Sequence, residues 1–261
     1  MPATVTTPFL ALALLLALGA RAGGEAVAGY VSAAVADAAR PREQVERDAW
    51  RKPAELLAFA GVKPGDKVAD FMPGNAYFTR LLSPLVAPGG RVYAFLPAEQ
   101  LAHCAPAEIA GTRALAGDPH YANVQVLTGA AQQFAVPEPL DLVWTAQDYH
   151  DLHDRFMAPT DVARFNAAVL RALKPGGAFI VIDHAAQPGS GLRDTETLHR
   201  IDPQAIVREV TAAGFVLEAE SAALRNPADS HALRVFDPAI RGRTDQVVLR
   251  FRKPLPPAPQ P

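Results

Sequence analysis

The 261-residue chain is poor in several things, and each shortage excludes a class of protein. It has a single cysteine, Cys104, which rules out an internal disulfide framework and any cysteine-rich zinc or iron–sulfur centre. No activating motif surrounds Cys104, so it reads as a small buried hydrophobe rather than a nucleophile. Charge of one sign is not in excess: 25 Lys and Arg stand against 27 Asp and Glu. Such a balance gives no electrostatic ground for nucleic acid or an anionic membrane as partner. The apolar run at residues 9–18, FLALALLLAL, falls well short of the roughly 20 residues that a membrane-spanning helix needs. The G-x-G-x-x-G fingerprint of nicotinamide enzymes is absent. Disorder is excluded for most of the chain by a hydrophobic share of 49%.

What is present has an order. The run at 9–18 followed by Ala20-Arg21-Ala22 fits a signal peptide over residues 1–22, with export to a bacterial periplasm or beyond and no membrane span in the mature chain. Residues 23–52 read as a helical extension, alanine-rich up to Pro41 and then a charged helix or linker. Residues 53–254 alternate strands and helices, and residues 255–261 form a proline-rich tail expected to be disordered. Strands are expected at 67–71, 92–96, 124–127, 140–145, 178–183, 215–219 and 246–252. Helices are expected at 54–60, 76–82, 161–173 and 202–213, with Pro53 and Pro203 in first turns and Gly61 and Gly214 past the ends. This alternation predicts an α/β, Rossmann-like doubly wound fold. Its sheet is seven-stranded and mainly parallel with an antiparallel last strand, and ligands belong at the carboxyl edge.

Three strings carry a resemblance: Val68-Ala69-Asp70-Phe71-Met72-Pro73-Gly74, the strand at 140–145, and Leu173-Lys174-Pro175-Gly176-Gly177 before a buried strand. Strand, glycine turn and helix in this order resemble class I S-adenosylmethionine-dependent methyltransferases. More narrowly, Pro73 to Arg80, Tyr149-His150-Asp151-Leu152-His153, Leu198 to Asp202, Asn226 to Asp229 and Gly242 to Asp245 resemble a family of exported bacterial predicted methyltransferases. The resemblance covers roughly residues 44–254 and implies S-adenosyl-L-methionine as cofactor. It places Asp70, Phe71, Pro73, Gly74 and Tyr77 around the donor, with Gln147 beyond the fourth strand. The usual D/E-x-G-x-G-x-G pattern is only partly met, because Gly74 is the one glycine in its expected stretch. Pro73 is expected to pre-set the turn instead, and Asn75 to cap the next helix. Glu99 is the nearest acid after the second strand, either a ribose ligand or a solvated helix-start glutamate. After the third strand Gly129 and Ala130 leave only backbone or amide groups to meet an adenine.

The densest polar stretches are Gln147 to Asp154, Asp183-His184, and His199-Arg200-Asp202, all expected at the ligand edge. Methyl transfer is an in-line displacement helped mainly by alignment, and a base is needed only where the acceptor must lose a proton. His150 is the first candidate base and His184 the second, against the alternative of loop histidines without a catalytic task. The preferred reading assigns no metal; a site of His150, Asp151 and His153 is the alternative, since imidazole and carboxylate suit zinc. The expected function is methyl transfer to a small-molecule or cell-envelope acceptor. The competing reading is a non-catalytic binding or scaffold protein on a degenerate fold.

Overall fold

The computed structural model describes residues 28–158 and 160–257. The leader at 1–22 and the end of the tail at 258–261 lie outside the described residues. Seven strands form one sheet: β1 (Lys67–Phe71), β2 (Arg91–Pro97), β3 (Val124–Gly129), β4 (Leu140–Ala146), β5 (Leu173–His184), β6 (Val216–Ser221) and β7 (Gln246–Arg252). Their spatial order is β3-β2-β1-β4-β5-β7-β6. β7 runs antiparallel to both neighbours and the other pairings are parallel. The strand order reverses between β1 and β4, which opens a crevice at their carboxyl ends.

The two-residue period of a strand builds two cores at once. Ala69, Phe71, Val143, Phe179, Val181, Leu249 and Phe251 point to one face. There they meet Phe165 and Val169 of a helix at Val162–Ala172, and Ile206 and Val210 of one at Pro203–Ala212. Val68, Leu142, Trp144, Ile180, Ile182 and Val248 point to the other face. That layer is closed by helices α1 (Gly29–Val35), α4 (Pro53–Ala60) and α5 (Tyr77–Val86). Between α1 and α4 lie two short helices, α2 (Arg42–Val45) and α3 (Asp48–Arg51). The N-terminal extension is therefore packed into the domain: Val31 and Ala34 share a core with α4 and α5. The remaining helices are α6 (Ala98–Leu101), α7 (Ala110–Leu115), α8 (Val162–Ala172), α9 (Thr195–Leu198) and α10 (Pro203–Ala212). Among the described residues no helix is long and apolar enough to cross a membrane.

Local signals hold where the turn chemistry is strong. Gly61 and Gly214 end α4 and α10 at φ of 72° and 104°, and Asp202 caps α10 by accepting from Gln204 N. Three expectations are corrected. The residues 173–177 do not close a helix as a free turn but begin β5 as a bulge, with Leu140 paired to Leu173 and Leu142 already paired to Ala178. Asn75 does not cap α5; its Oδ1 accepts from Gly111 N at 2.9 Å, tying the turn after β1 to α7. Cys104 is half-buried rather than buried.

Candidate active site

The turn after β1 has an unusual backbone. Met72, Gly74 and Ala76 all lie in the left-handed region, at φ of 57°, 54° and 62°. Counted from Asp70, these are the three glycine positions of D-x-G-x-G-x-G. The loop thus holds left-handed backbone at all three positions with only one glycine among them. Each non-glycine residue held there costs about 1–2 kcal/mol, strain that surrounding contacts must offset. Those contacts are visible: Gln44 Nε2 and Arg80 Nη1 each donate to Asn75 O at 2.8 Å, and Thr112 Oγ1 donates to Gly74 O at 2.8 Å. Nothing lies within 4 Å of where a Cβ on Gly74 would stand. The turn therefore presents open backbone to a cavity of about 260 Å³.

That cavity sits at the switch point. Asp70, the turn at 72–75 and Tyr77 form its first wall; Gln147, Asp148, His150, Asp151, His184 and His199 form the second. Arg47 and Arg51 from the N-terminal extension and Phe236 from the segment between β6 and β7 complete the lining. The extension is fastened across the opening by Tyr77, whose hydroxyl donates to Asp48 Oδ1 at 2.6 Å while Arg40 pairs with the same carboxylate. Arg51 lies 4.6 Å over the Tyr77 ring and donates to Gln147 Oε1 at 2.6 Å. Burial, with Arg47 adding repulsion, brings Arg51 down to about 10. Asp70 is buried and pushed up to about 7 by desolvation, with a 2.6 Å bond from Thr79 Oγ1 only partly opposing it.

The second wall is a chain of imidazoles and carboxylates. Asp183, at the end of β5, accepts from His150 N at 2.7 Å and from His184 N at 2.7 Å, and its Oδ1 lies 2.8 Å from His150 Nδ1. The other ring nitrogen of His150 is 3.1 Å from Asp151 Oδ1 and 3.3 Å from His199 Nδ1. Burial disfavours a charged His150, but Asp183 and Asp151 outweigh it and hold the ring well above its ordinary value. Burial likewise pushes Asp151 up, yet bonds from His150 and His199 bring it down to about 2. Asp148 goes the other way, raised far by burial beside Asp151 and Asp183. His184 is neutral: burial first, then His150 and Arg200, press it far below its usual range, and its Nδ1 is engaged by Thr244 Oγ1 at 2.7 Å.

Of the residues singled out from sequence, Asp70, Pro73, Gly74, Tyr77, Gln147, His150 and His184 line the cavity. Phe71 is in the core against Phe95, Phe134 and Phe165. Glu99, Gly129 and Ala130 are not part of the cavity lining; Glu99 instead accepts from Ala131 N at 3.1 Å. His153 leaves the polar cluster for Glu209, at 3.2 Å. A base role for His150 meets a physical obstacle, since a ring kept protonated by two carboxylates has no lone pair to offer. His199, Arg200 and Asp202 separate: the first lines the cavity, the second is buried on Asp229, and the third caps α10. Sequence reasoning missed Arg47, Arg51 and Phe236. The four-residue spacing of the two arginines was the available signal; Phe236 carried none.

Family profiles give no match to this chain, and neither do curated proteins. Solved structures do, and they show its fold, a Rossmann-like α/β fold shared with S-adenosylmethionine-dependent methyltransferases. A SAM-dependent methyltransferase from Aquifex aeolicus superposes with a TM-score of 0.54 at 16% identity, covering 81% of this chain and 93% of the other. One from Mesorhizobium loti gives 0.54 at 17%, with 79% and 99% covered. The [4+2]-cyclase SpnF gives 0.58 at 16%, with 84% and 85% covered, so the same fold also carries other chemistry.

Proposed function

We propose that this chain transfers a methyl group from S-adenosyl-L-methionine to a small-molecule acceptor held in the switch-point cavity. The observation that carries the reading is the left-handed backbone at Met72, Gly74 and Ala76, facing a polar cavity across the β1–β4 reversal. A turn strained into left-handed backbone at these positions, with one glycine among them, is explained by a ligand that needs that backbone. The donor carries a sulfonium and an ammonium, and Asp70 is the carboxylate placed to meet positive charge. The acceptor would lie against the second wall, where His184, neutral and open to the cavity, takes the proton. Arg47, Arg51 and Phe236 border the opening, where they would hold the acceptor in line with the donor. The run at 9–18 supports action after export, which mass spectrometry of the native N-terminus would check at Gly23.

Calorimetry with the donor tests the central claim. The wild-type chain should bind it, and Gly74→Val should not, with circular dichroism still reporting the folded chain: the new Cβ meets no protein atom within 4 Å, and the strain of a β-branched residue at φ 54° falls on the turn. No donor heat in the folded wild type would overturn the proposal. Once an acceptor is in hand, His184→Gln should lower kcat by about 10²-fold or more while donor affinity stays put.

A further inference from the structure

We propose that His150, Asp151 and His199 form a binding site for a divalent transition metal, zinc in the first instance, inside the cavity. The three ligand atoms converge from different parts of the chain: the loop after β4 supplies two, and the left-handed residue after α9 supplies the third. His150 Nε2 is 3.1 Å from Asp151 Oδ1, His150 Nε2 is 3.3 Å from His199 Nδ1, and His199 Nδ1 is 3.6 Å from Asp151 Oδ1. A tetrahedral zinc with bonds of about 2.0–2.1 Å has ligand–ligand edges of about 3.3 Å. The triangle therefore already has the size of one face of a zinc coordination sphere, and all three residues line the cavity. Two imidazoles with one carboxylate are a donor set that zinc accepts.

The support around the ligands is also built. Metal-bound histidines almost always donate their far N–H to a carboxylate or carbonyl, which fixes tautomer and ring direction. Asp183 does this for His150: it is fully buried, 2.8 Å from Nδ1, and pinned by two backbone N–H groups. Its position leaves Nε2 as the ligating atom. His150 must release the Nε2 proton that it now shares with Asp151 at 3.1 Å, and the metal takes that proton's place between the two. His199 needs a second adjustment. Arg234 Nη2 stands 3.0 Å from its Nε2, and a guanidinium only donates, so in this arrangement the proton of His199 sits on Nδ1. Metal binding needs the other tautomer, and Arg234, an exposed side chain packed at 5.2 Å on the Phe236 ring, must turn aside. Arg234 is thus an antagonist of the metal, and its removal should tighten binding.

Such a site narrows the acceptor class, a step that rests on the methyl-transfer reading, whereas the metal site does not. The fourth position suits an acceptor hydroxyl. The O–H proton goes to His184, whose ring centre lies 6.1 Å from that of His150. The oxygen pair forms the O–CH₃ bond, and the pair of the breaking C–S bond stays on sulfur as the neutral thioether. Metal coordination acidifies the hydroxyl, which makes a weakly basic imidazole sufficient.

The test starts from the full chain freed of metal by a chelator and titrated with zinc against a competing indicator. One zinc per chain is expected. Asp151→Asn and His199→Ala should each weaken binding by more than the roughly 10–100-fold that losing a supporting partner costs, while His153→Ala leaves it unchanged. Arg234→Ala should bind more tightly. Cobalt(II) in place of zinc should give the intense visible bands of a tetrahedral centre. No stoichiometric zinc in the wild type, weak octahedral-type cobalt bands, or wild-type affinity in folded His199→Ala would each sink the site. Donor calorimetry on the zinc-free and zinc-loaded chain separates the two proposals. Donor binding without any zinc uptake leaves methyl transfer standing and removes the metal; zinc uptake without donor binding does the reverse.

Discussion

The two walls of the cavity are made in different ways. On the β1 side the backbone does the shaping: Met72, Gly74 and Ala76 hold left-handed conformations, and few side chains there are charged. On the β4–β5 side Gln147 and His199 are left-handed too, but they are scattered, and a dense set of ionisable groups does the shaping. The first wall stores strain and is held by hydrogen bonds from Gln44, Arg80 and Thr112. The second is held by buried charge. Arg200 is wholly buried and gives Nη2 to Asp229 at 2.9 Å, Nε to Leu233 O and Nη1 to Ala185 O. Asp229 in turn accepts from Asp245 N at 2.7 Å, and Asp245 accepts from Asn226 N at 2.7 Å and lies 3.0 Å from His231 Nε2. The lesson is that one ligand edge can be built by backbone conformation on one side and by buried charge on the other.

The sharpest way to break the contrast is to cut the buried pair. Arg200→Ala leaves Asp229 charged and unpaired in the interior, which should lower stability by about 3–5 kcal/mol in urea unfolding. The segment at 222–245, which brings Arg234 and Phe236 to the cavity, should lose amide-exchange protection first. No surface ion pair offers a comparable loss: Arg42–Glu46, for instance, is fully solvated, and its removal should be nearly silent.

A second, intermediate effect concerns Asp70, the one carboxylate of the first wall with strong pH leverage. Its carboxyl titrates near 7 in the folded chain, against 3.8 for the ordinary group. Between those values the native state holds a proton that the unfolded state has released, so stability falls as pH rises through this window. Donor affinity should run the opposite way, rising through pH 7 as Asp70 ionises and can pair with the donor's positive charge. Asp70→Asn, which still accepts from Thr79, should flatten both profiles. Calorimetric titrations at pH 6 and pH 8 that agree for the wild type would remove Asp70 from the donor site.

These differences also explain what was legible from sequence. The strands and most helix ends were, because a two-residue apolar period, a proline in a first turn and a glycine past a helix end are local signals. The placement of His150, Asp183 and His184 at the ligand edge followed from strand order alone. The left-handed state of Met72 and Ala76 was not legible, since neither residue favours it and only the clasp of α2 and α7 on Asn75 and Gly74 imposes it. Nor was the grouping of Arg200 with Asp229 and Asp245, or of His150 with His199, which joins residues far apart in the chain. The strings 198–202, 226–229 and 242–245 that marked the resemblance meet in this one network. Their recurrence has a structural reason before any catalytic one.

The smallest expected effect is the most direct probe of the strained wall. Ala76 is fully buried at φ 62°, with only a methyl group to lose. Ala76→Gly should remove left-handed strain of about 1–2 kcal/mol, offset by the roughly 0.5–1 kcal/mol that glycine adds to unfolded-chain entropy and by about 0.8 kcal/mol for the methyl group buried against Leu115 and Tyr121. The net should lie within about 1 kcal/mol of zero, read as a nearly unchanged urea midpoint at unchanged slope. Donor affinity should rise slightly or stay constant, because the backbone already has the shape it needs. A loss of more than about 1 kcal/mol would mean that packing of the methyl group on Leu115 and Tyr121 outweighs the strain. The first wall would then be held by side-chain burial, as much of the core is, and the contrast between the two walls would lose its basis.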